Sequence, residues 1–446
     1  MLRLCFLSDN FKMNTMHAKY YGLLLVTLAT YFIASKCIFD RVYETIHEVI
    51  DELFHIPQGL AFCNRNFSYW DPKITTLPGL YLVSATFLGS YFECNTYNLR
   101  FINLIASAIN LILFTSILQF VYGGNTYLKT VLQALNLALL PPLYFFSHVY
   151  YTDTLSLMFL LIFSRLCLVN RYKLLILFFG AASVMMRQTN IVWVAMVLGH
   201  KVLDILIRSS RVFGNKYLTN VTLNFLVLLT HSIILISFAV FVYINGSIVV
   251  GDKKAHEAVL HLPQLFYFLI FYSVFGLTFV LNNIKSTFQL LWRNKLLAMF
   301  LSTAFLLIAH YNTVVHPYLL ADNRHYTFYI WNRWYGKYEI AKYVSVPVYV
   351  FLLFNLYCNL KDQNCISFLL PYSICLTLVL SLQKMIEIRY FFVPYIILRL
   401  RFPRPSFRMV LFEFVWYIAI NMATFHTFLN KEIVWEDFDY VQRIIW

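Results

Sequence analysis

Apolar runs of bilayer-spanning length recur along this chain from Tyr20 to Phe428, and they constrain its fold more than any other feature. Hydrocarbon offers backbone N–H and C=O groups no partner, so a chain that crosses it repeatedly must do so as helices or as a closed barrel. About 20 apolar residues make one helical crossing. Such runs fall near 20–39, 99–121, 129–147, 150–169, 172–186, 191–207, 221–245, 264–282, 296–314, 342–360, 364–382, 387–400 and 408–428. With 60% hydrophobic and 13% charged residues, the chain carries more apolar surface than a soluble core can hide. The expected fold class is therefore an all-α polytopic membrane protein of about thirteen spans, with residues 1–446 as one membrane-embedded domain. The segment 78–92 is apolar but short, and reads as a re-entrant or interfacial hairpin. No small-residue cleavage site follows the run 20–39, so it is expected to remain as an anchor.

Charge orients the spans. The net charge is +14, yet the Lys and Arg residues are scattered through short loops, so no nucleic-acid partner is expected. With the N-terminus in the cytosol, that side holds nineteen Lys and Arg against three acids, and the far side sixteen against seventeen. This is the bias of the positive-inside rule. Polar loops 40–76, 245–264, 310–342 and 383–390 then share the far side. Sequons at Asn66 and Asn245 fall there too, while a third at Asn220 falls on the cytosolic side. The eight cysteines show neither CxxC nor metal spacing, so they read as apolar packing residues, with no disulfide framework.

The densest functional signal follows the first span, where Asp40, Glu44, Glu48, Asp51, Glu52 and Asp71 stand beside the membrane. Ionised groups next to hydrocarbon are costly enough to mark a site. Val42, Ile46, Val49 and Leu53 recur at helical spacing. The expectation is an amphipathic helix on the membrane surface, ended by Pro57. Adjacent residues on a helix point about 100° apart, so one of Asp51 and Glu52 faces a substrate as catalytic base, with Asp51 preferred. His47 and His55 lie four residues to either side of Asp51. A merely solvated acidic face is the alternative. Gln58, Trp70, Asp71 and Lys73 extend the candidate substrate surface, against a bland reading as belt aromatics and a turn.

Later span ends add further candidates. Asp153 is either a helix N-cap or a site acid. Arg187 and Gln188 are either snorkelling anchors or substrate contacts. The stretch 316–334 places Asn323, Arg324 and His325 among aromatics, and Glu387 and Arg389 open a span on the same side. Arginine grips phosphate through parallel hydrogen bonds, so Arg324, His325 and Arg389 are the candidate phosphate binders. No HExxH, Walker loop, GxSxG or metal-ligand spacing occurs, so no metal and no cofactor are expected. A donor that lives in the bilayer fits this pattern, with its phosphate on arginines and its tail among the spans. An ion- or proton-coupled transporter using Asp51, Asp153 and Glu387 is the other class, but paired halves would mark it and no repeat is visible.

DELFHIPQ (51–58), WDPKITTLPGLY (70–81), YYTD (150–153), MRQTNIVW (186–193), NGSIVVGDKKAHEAVLHLPQLFYF (245–268), HPYLLADNRHYTFYIWNR (316–333) and EIRYFFVPY (387–395) together resemble the dolichyl-phosphate-glucose-dependent α-1,2-glucosyltransferases of the endoplasmic reticulum. The resemblance implies the multi-span fold of lipid-phosphate-sugar glycosyltransferases (GT-C type), with a catalytic first luminal loop. It implies a dolichyl phosphate glucose donor and a diglucosylated dolichyl-diphosphate-linked oligosaccharide acceptor. It also implies inversion at the anomeric carbon without metal. The family's acidic pair maps onto Asp51 and Glu52, and its second-loop acid onto Asp153, where some members carry glutamate. The tail WEDFDYVQRIIW (435–446) is family-like with no role legible in the sequence.

Overall fold

The computed structural model describes residues 2–123, 126–209, 215–253, 259–361 and 366–446, without the side chains of 2–18, 208–227 and 318. The Asn220 side chain and residues 254–258 of the 245–264 loop thus lie outside the description. Helix α1 (Leu2–Thr45) carries the first span. Two shorter helices follow, α2 (Glu52–Cys63) and α3 (Gly79–Tyr91), and then α4 (Thr96–Tyr122). The middle of the chain holds α5 (Tyr127–Ala138), α6 (Pro141–Phe146), α7 (Thr152–Val169), α8 (Lys173–Met186), α9 (Asn190–Ser209) and α10 (Asn215–Asn245). Beyond it come α11 (Gln264–Phe275), α12 (Leu277–Asn282), α13 (Ile284–Arg293) and α14 (Lys295–Tyr311). Next are α15 (Pro317–Ala321), α16 (Tyr326–Ile330) and a π-helical turn, Trp331–Tyr335. The chain closes with α17 (Ala341–Val344), α18 (Val346–Leu360), α19 (Ile366–Ser381), α20 (Arg389–Arg399) and α21 (Phe407–Asn430).

The protein is an all-α polytopic membrane protein. Among the described residues seven helices are long and apolar enough to cross a bilayer, and α13 and α14, bent by 95°, make an eighth if they are one span. The remaining expected runs are helical but short or broken. α8, α11 and α19 are short apolar helices. The 129–147 run splits at Pro141, which has no N–H to continue a helix. α20 has only 11 residues.

The four polar loops gather at one end, tied by hydrogen bonds. Val250 N–H donates to Thr75 O and Asp252 N–H to Pro72 O (3.2 and 2.9 Å). Gln264 Nε2 donates to Met385 O (2.8 Å), and Leu262 N–H to Asn312 Oδ1 (2.6 Å). Gly251 lies so close that a Cβ there would stand 2.2 Å from Ile74 O, which explains why only glycine fits. At the opposite end Arg404 donates to Tyr122 O and Gly123 O (2.7 and 2.6 Å). Between the ends, buried Arg399 pairs with Glu413 (3.0 Å), and Asn136 joins the same carboxylate.

Three expectations are corrected. Pro57 does not end the amphipathic helix but sits inside α2 on its exposed side. The helix continues because its other face is anchored by buried Ile56, Gln58, Gly59 and Phe62. The face drawn through Val42 and Leu53 is likewise interrupted, since α1 ends at Thr45 and α2 begins at Glu52. Finally, two of the cysteines form a disulfide, Cys63–Cys94, which joins the end of α2 to the segment before α4. The sequence hides it because 31 residues separate the partners and no motif marks them. α3, the short apolar segment, packs on α2 inside this clasp, its buried side formed by Leu80, Tyr81, Ala85 and Leu88.

A disulfide of this kind contributes about 2–4 kcal/mol. Cys63→Ser and Cys94→Ser should each lower the apparent Tm of the detergent-solubilised protein, and the double variant should melt no lower than the worse single one. Additive losses would show that the two thiols act separately.

Candidate active site

The site is built on a buried ion pair. Glu52, at the start of α2, has no solvent exposure, and Arg100 of α4 is 1% exposed. Arg100 Nε donates to Glu52 Oε1 (2.9 Å) and Arg100 NH2 to Oε2 (2.7 Å). The same carboxylate accepts Val49 N–H (3.1 Å) and Tyr150 N–H (2.6 Å). Four donors saturate it, so Glu52 has no lone pair facing solvent. Arg100 also donates to Ile46 O and His47 O (3.4 and 3.0 Å), closing the turn between α1 and α2. Within that turn Ile50 has φ +45°, a conformation costly for a β-branched side chain. Tyr151 OH braces it further, donating to Val49 O and accepting Asp51 N–H (both 3.1 Å).

This turn aims Asp51 away from Glu52, into a cluster of charges. Asp51 Oδ2 lies 2.9 Å from Arg389 NH1, and its side chain is one-third exposed. Arg389, at the start of α20, also pairs with Glu387 and lies 4.0 Å from Asp153 Oδ2. Asp153 pairs with Arg187 through its other oxygen, while Oδ2 is buried with no hydrogen-bond partner among the described residues. Asp153 stands in the first turn of α7 but is not the N-cap, which is Tyr151. Burial pushes the Asp51 carboxyl upward, and Arg389 outweighs it, leaving the group below its ordinary value. Burial is also the main influence on His55, pushing it down to about 4. His55 is therefore neutral near pH 7, with Nδ1 on Tyr81 OH (2.5 Å). A narrow crevice beside the cluster is lined by Arg187, Arg389 and Tyr390 and by apolar Trp193, Val393 and Pro394.

Other candidates fall elsewhere. Gln58 clasps the loop after α2, donating to Tyr69 O and accepting Asp71 N–H (2.7 and 2.9 Å). Trp70 packs edge-on to Phe62 and Tyr81. Asp71 accepts Lys73 N–H (2.8 Å), while Lys73 Nζ lies over the Phe54 ring. Gln188 donates to Thr75 O (2.8 Å). Arg324 is taken up by both oxygens of Asp322 (2.9 and 2.8 Å), by Gln442 (3.2 Å) and by the face of Trp435 (4.1 Å). Asn323 accepts from Trp435 Nε1 (2.8 Å). His325 Nε2 lies 3.9 Å from Asp322 Oδ2. The C-terminal tail thus acquires a place, holding 323–326 through Trp435, Gln442 and Ile445. Arg100, Tyr151 and Tyr81 were missed. Arg100 had a signal, a lone cation within an apolar run, whereas Tyr81 and Tyr151 stand out only as members of the stretches 70–81 and 150–153.

Fold and site define a polytopic membrane protein with a cluster of acids and arginines where its polar loops converge. The chain belongs to the DIE2/ALG10 family, whose model matches residues 45–400. It is 43% identical to the Drosophila melanogaster protein named Dol-P-Glc:Glc(2)Man(9)GlcNAc(2)-PP-Dol alpha-1,2-glucosyltransferase, over 95% of this chain and 99% of that one. It is 36% identical to a Homo sapiens protein and 35% identical to a Rattus norvegicus protein of the same name, over 94% of this chain and 98% of each relative. No solved structure matches.

The geometry separates the adjacent acids by role. Breaking a buried ion pair costs about 3–5 kcal/mol, so Glu52→Gln should lower the apparent Tm clearly, and Asp51→Asn little. Equal melting of the two variants would contradict the separation.

Proposed function

We propose that this protein transfers glucose from dolichyl phosphate glucose to the diglucosylated dolichyl-diphosphate oligosaccharide, forming the terminal α-1,2 bond. The whole chain acts as one domain in the endoplasmic reticulum membrane, with its site on the luminal side. The relatives' names support the reaction, and one observation supports the site: a partly exposed carboxylate, Asp51, in direct contact with Arg389. An inverting displacement requires a base for the acceptor hydroxyl and a partner for the departing phosphate. Asp51 takes the hydroxyl proton as the acceptor oxygen bonds to the anomeric carbon. The bond from that carbon to the phosphate oxygen breaks, and dolichyl phosphate leaves. Arg389 and Arg187 receive the phosphate at the crevice they line. Arg324, held by Asp322, positions His325 and the loop instead of binding phosphate. Glu52 holds the turn that presents Asp51.

Arg389 also links donor to base. While it faces Asp51 it stabilises the ionised form and makes Asp51 a weak base. A phosphate on Arg389 draws off part of that field, so the Asp51 pKa rises and the base strengthens when the donor is in place. An ionised base is needed, so a higher pKa moves the acid limb to higher pH. The limb should lie higher in kcat/KM for acceptor at saturating donor than in kcat/KM for donor. Coincident limbs would remove the coupling.

Asp51→Asn should lose about 10²-fold or more in transfer, and Arg187→Ala or Arg389→Ala should raise the KM for donor, slow transfer, or both. Near-wild-type turnover by Asp51→Asn would overturn the assignment. Membrane-impermeant labelling of single cysteines placed in loops 40–76, 245–264 and 310–342 should report all three on the luminal side; cytosolic labelling of any one would sink the topology.

A further inference from the structure

A cavity of about 610 Å³ shares no lining residue with the crevice beside the Asp51 cluster. It opens where the end of α21 meets α16 and the π-helical turn, with Tyr326, Tyr329, Arg333, His426, Asn430 and Lys431 among its walls. None of its described lining residues is acidic. The Arg333 guanidinium lies over the Tyr329 ring, 5.6 Å from its centroid. Neither Arg333 nor Lys431 has an ion-pair partner among the described residues. The neighbouring acid Glu432 is turned to Arg443 (3.7 Å). These cations contrast with the other arginines at this end of the molecule: Arg324 is held by Asp322, and Arg389 by Glu387 and Asp51. A pocket whose fixed charges are uniformly positive and unmatched suits an anion of more than one charge. Its tyrosine walls suit the faces of sugars.

We propose that this cavity seats the diphosphate head of the acceptor glycolipid, a site separate from the donor phosphate at Arg187 and Arg389. The assignment rests on the transferase reading above. Two polyprenyl lipids anchored in one leaflet bring two phosphate heads to the membrane surface, and each needs its own cations. The acceptor's diphosphate lies at the opposite end of its glycan from the reacting hydroxyl, so its seat belongs away from Asp51. The end of α21, on the side where the polar loops gather, is such a place.

The test uses the full chain and the double variant Arg333→Gln/Lys431→Gln. Both side chains are exposed, so the Tm should be unchanged. The KM for the lipid-linked acceptor should rise at least tenfold. The KM for dolichyl phosphate glucose, and that for the same glycan freed of its lipid diphosphate, should stay within twofold. An unchanged lipid-linked KM would overturn the proposal. An equal rise for the free glycan would make the cavity a sugar site, and a rise for the donor would make it the donor's site; either result overturns it as well. Binding of geranylgeranyl diphosphate, measured without transfer, should weaken at least tenfold in the double variant and be unaffected by Asp51→Asn. Equal competition by phosphatidylglycerol would mark a general headgroup site and overturn the acceptor assignment. Absence of transfer by the wild-type protein would defeat the proposed function, leaving the binding measurement to decide whether the cavity takes a diphosphate.

Discussion

The contact between Glu52 and Arg100 is the constraint on which the rest of the site depends. It joins residues 48 apart, Glu52 within the first polar loop and Arg100 in α4. A buried ion pair gains little by itself, because the cost of desolvating both ions rivals their attraction. This one is favourable because backbone groups saturate it: Val49 and Tyr150 donate to the carboxylate, and Ile46 and His47 accept from the guanidinium. The pair therefore specifies a shape. It holds the strained turn at Ile50, sets where α2 starts, and through Tyr150 fixes the approach to α7 and Asp153.

Beyond that pair, charge is arranged differently. Asp51, Asp153 and Glu387 surround Arg187 and Arg389 with incomplete pairing: Asp153 Oδ2 has no hydrogen-bond partner among the described residues, and Asp51 is partly exposed. A cation beside hydrocarbon needs a counter-charge to stay ionised and in place. Here the acids supply it without enclosing the arginines. At Arg324 the opposite holds: both oxygens of Asp322, Gln442 and two aromatic rings consume its bonding capacity. The two arginines thus differ in what holds them: Arg324 has one acid with Gln442 and aromatic rings, whereas Arg389 has three acids around it.

Much of the architecture was legible in advance. Among the described residues every expected run contains a helix, and the described parts of loops 40–76, 245–264, 310–342 and 383–390 meet at one end. Asp51, Asp153, Arg187, Glu387 and Arg389 do converge, though they span most of the chain. What misled was local. Pro57 signals a helix end, yet packing on the far face of α2 overrides it. Cys63 and Cys94 carry no motif, and only the return of the chain through α3 brings them together. Arg100 was overlooked because its run reads as an ordinary span.

The sequence by itself determined that the chain is helical and crosses a membrane, because unpaired backbone groups in hydrocarbon leave few other solutions. It also placed the polar chemistry in particular loops, because charges are too costly to leave among lipid tails. Only the tertiary structure decided which charges are available and which are consumed. That depends on partners far away in the chain: Arg100 for Glu52, Arg389 for Asp51, and the C-terminal tail for Arg324. Hydrogen-bonding capacity is a property of the residue type, whereas its saturation is settled only by the neighbours that folding delivers.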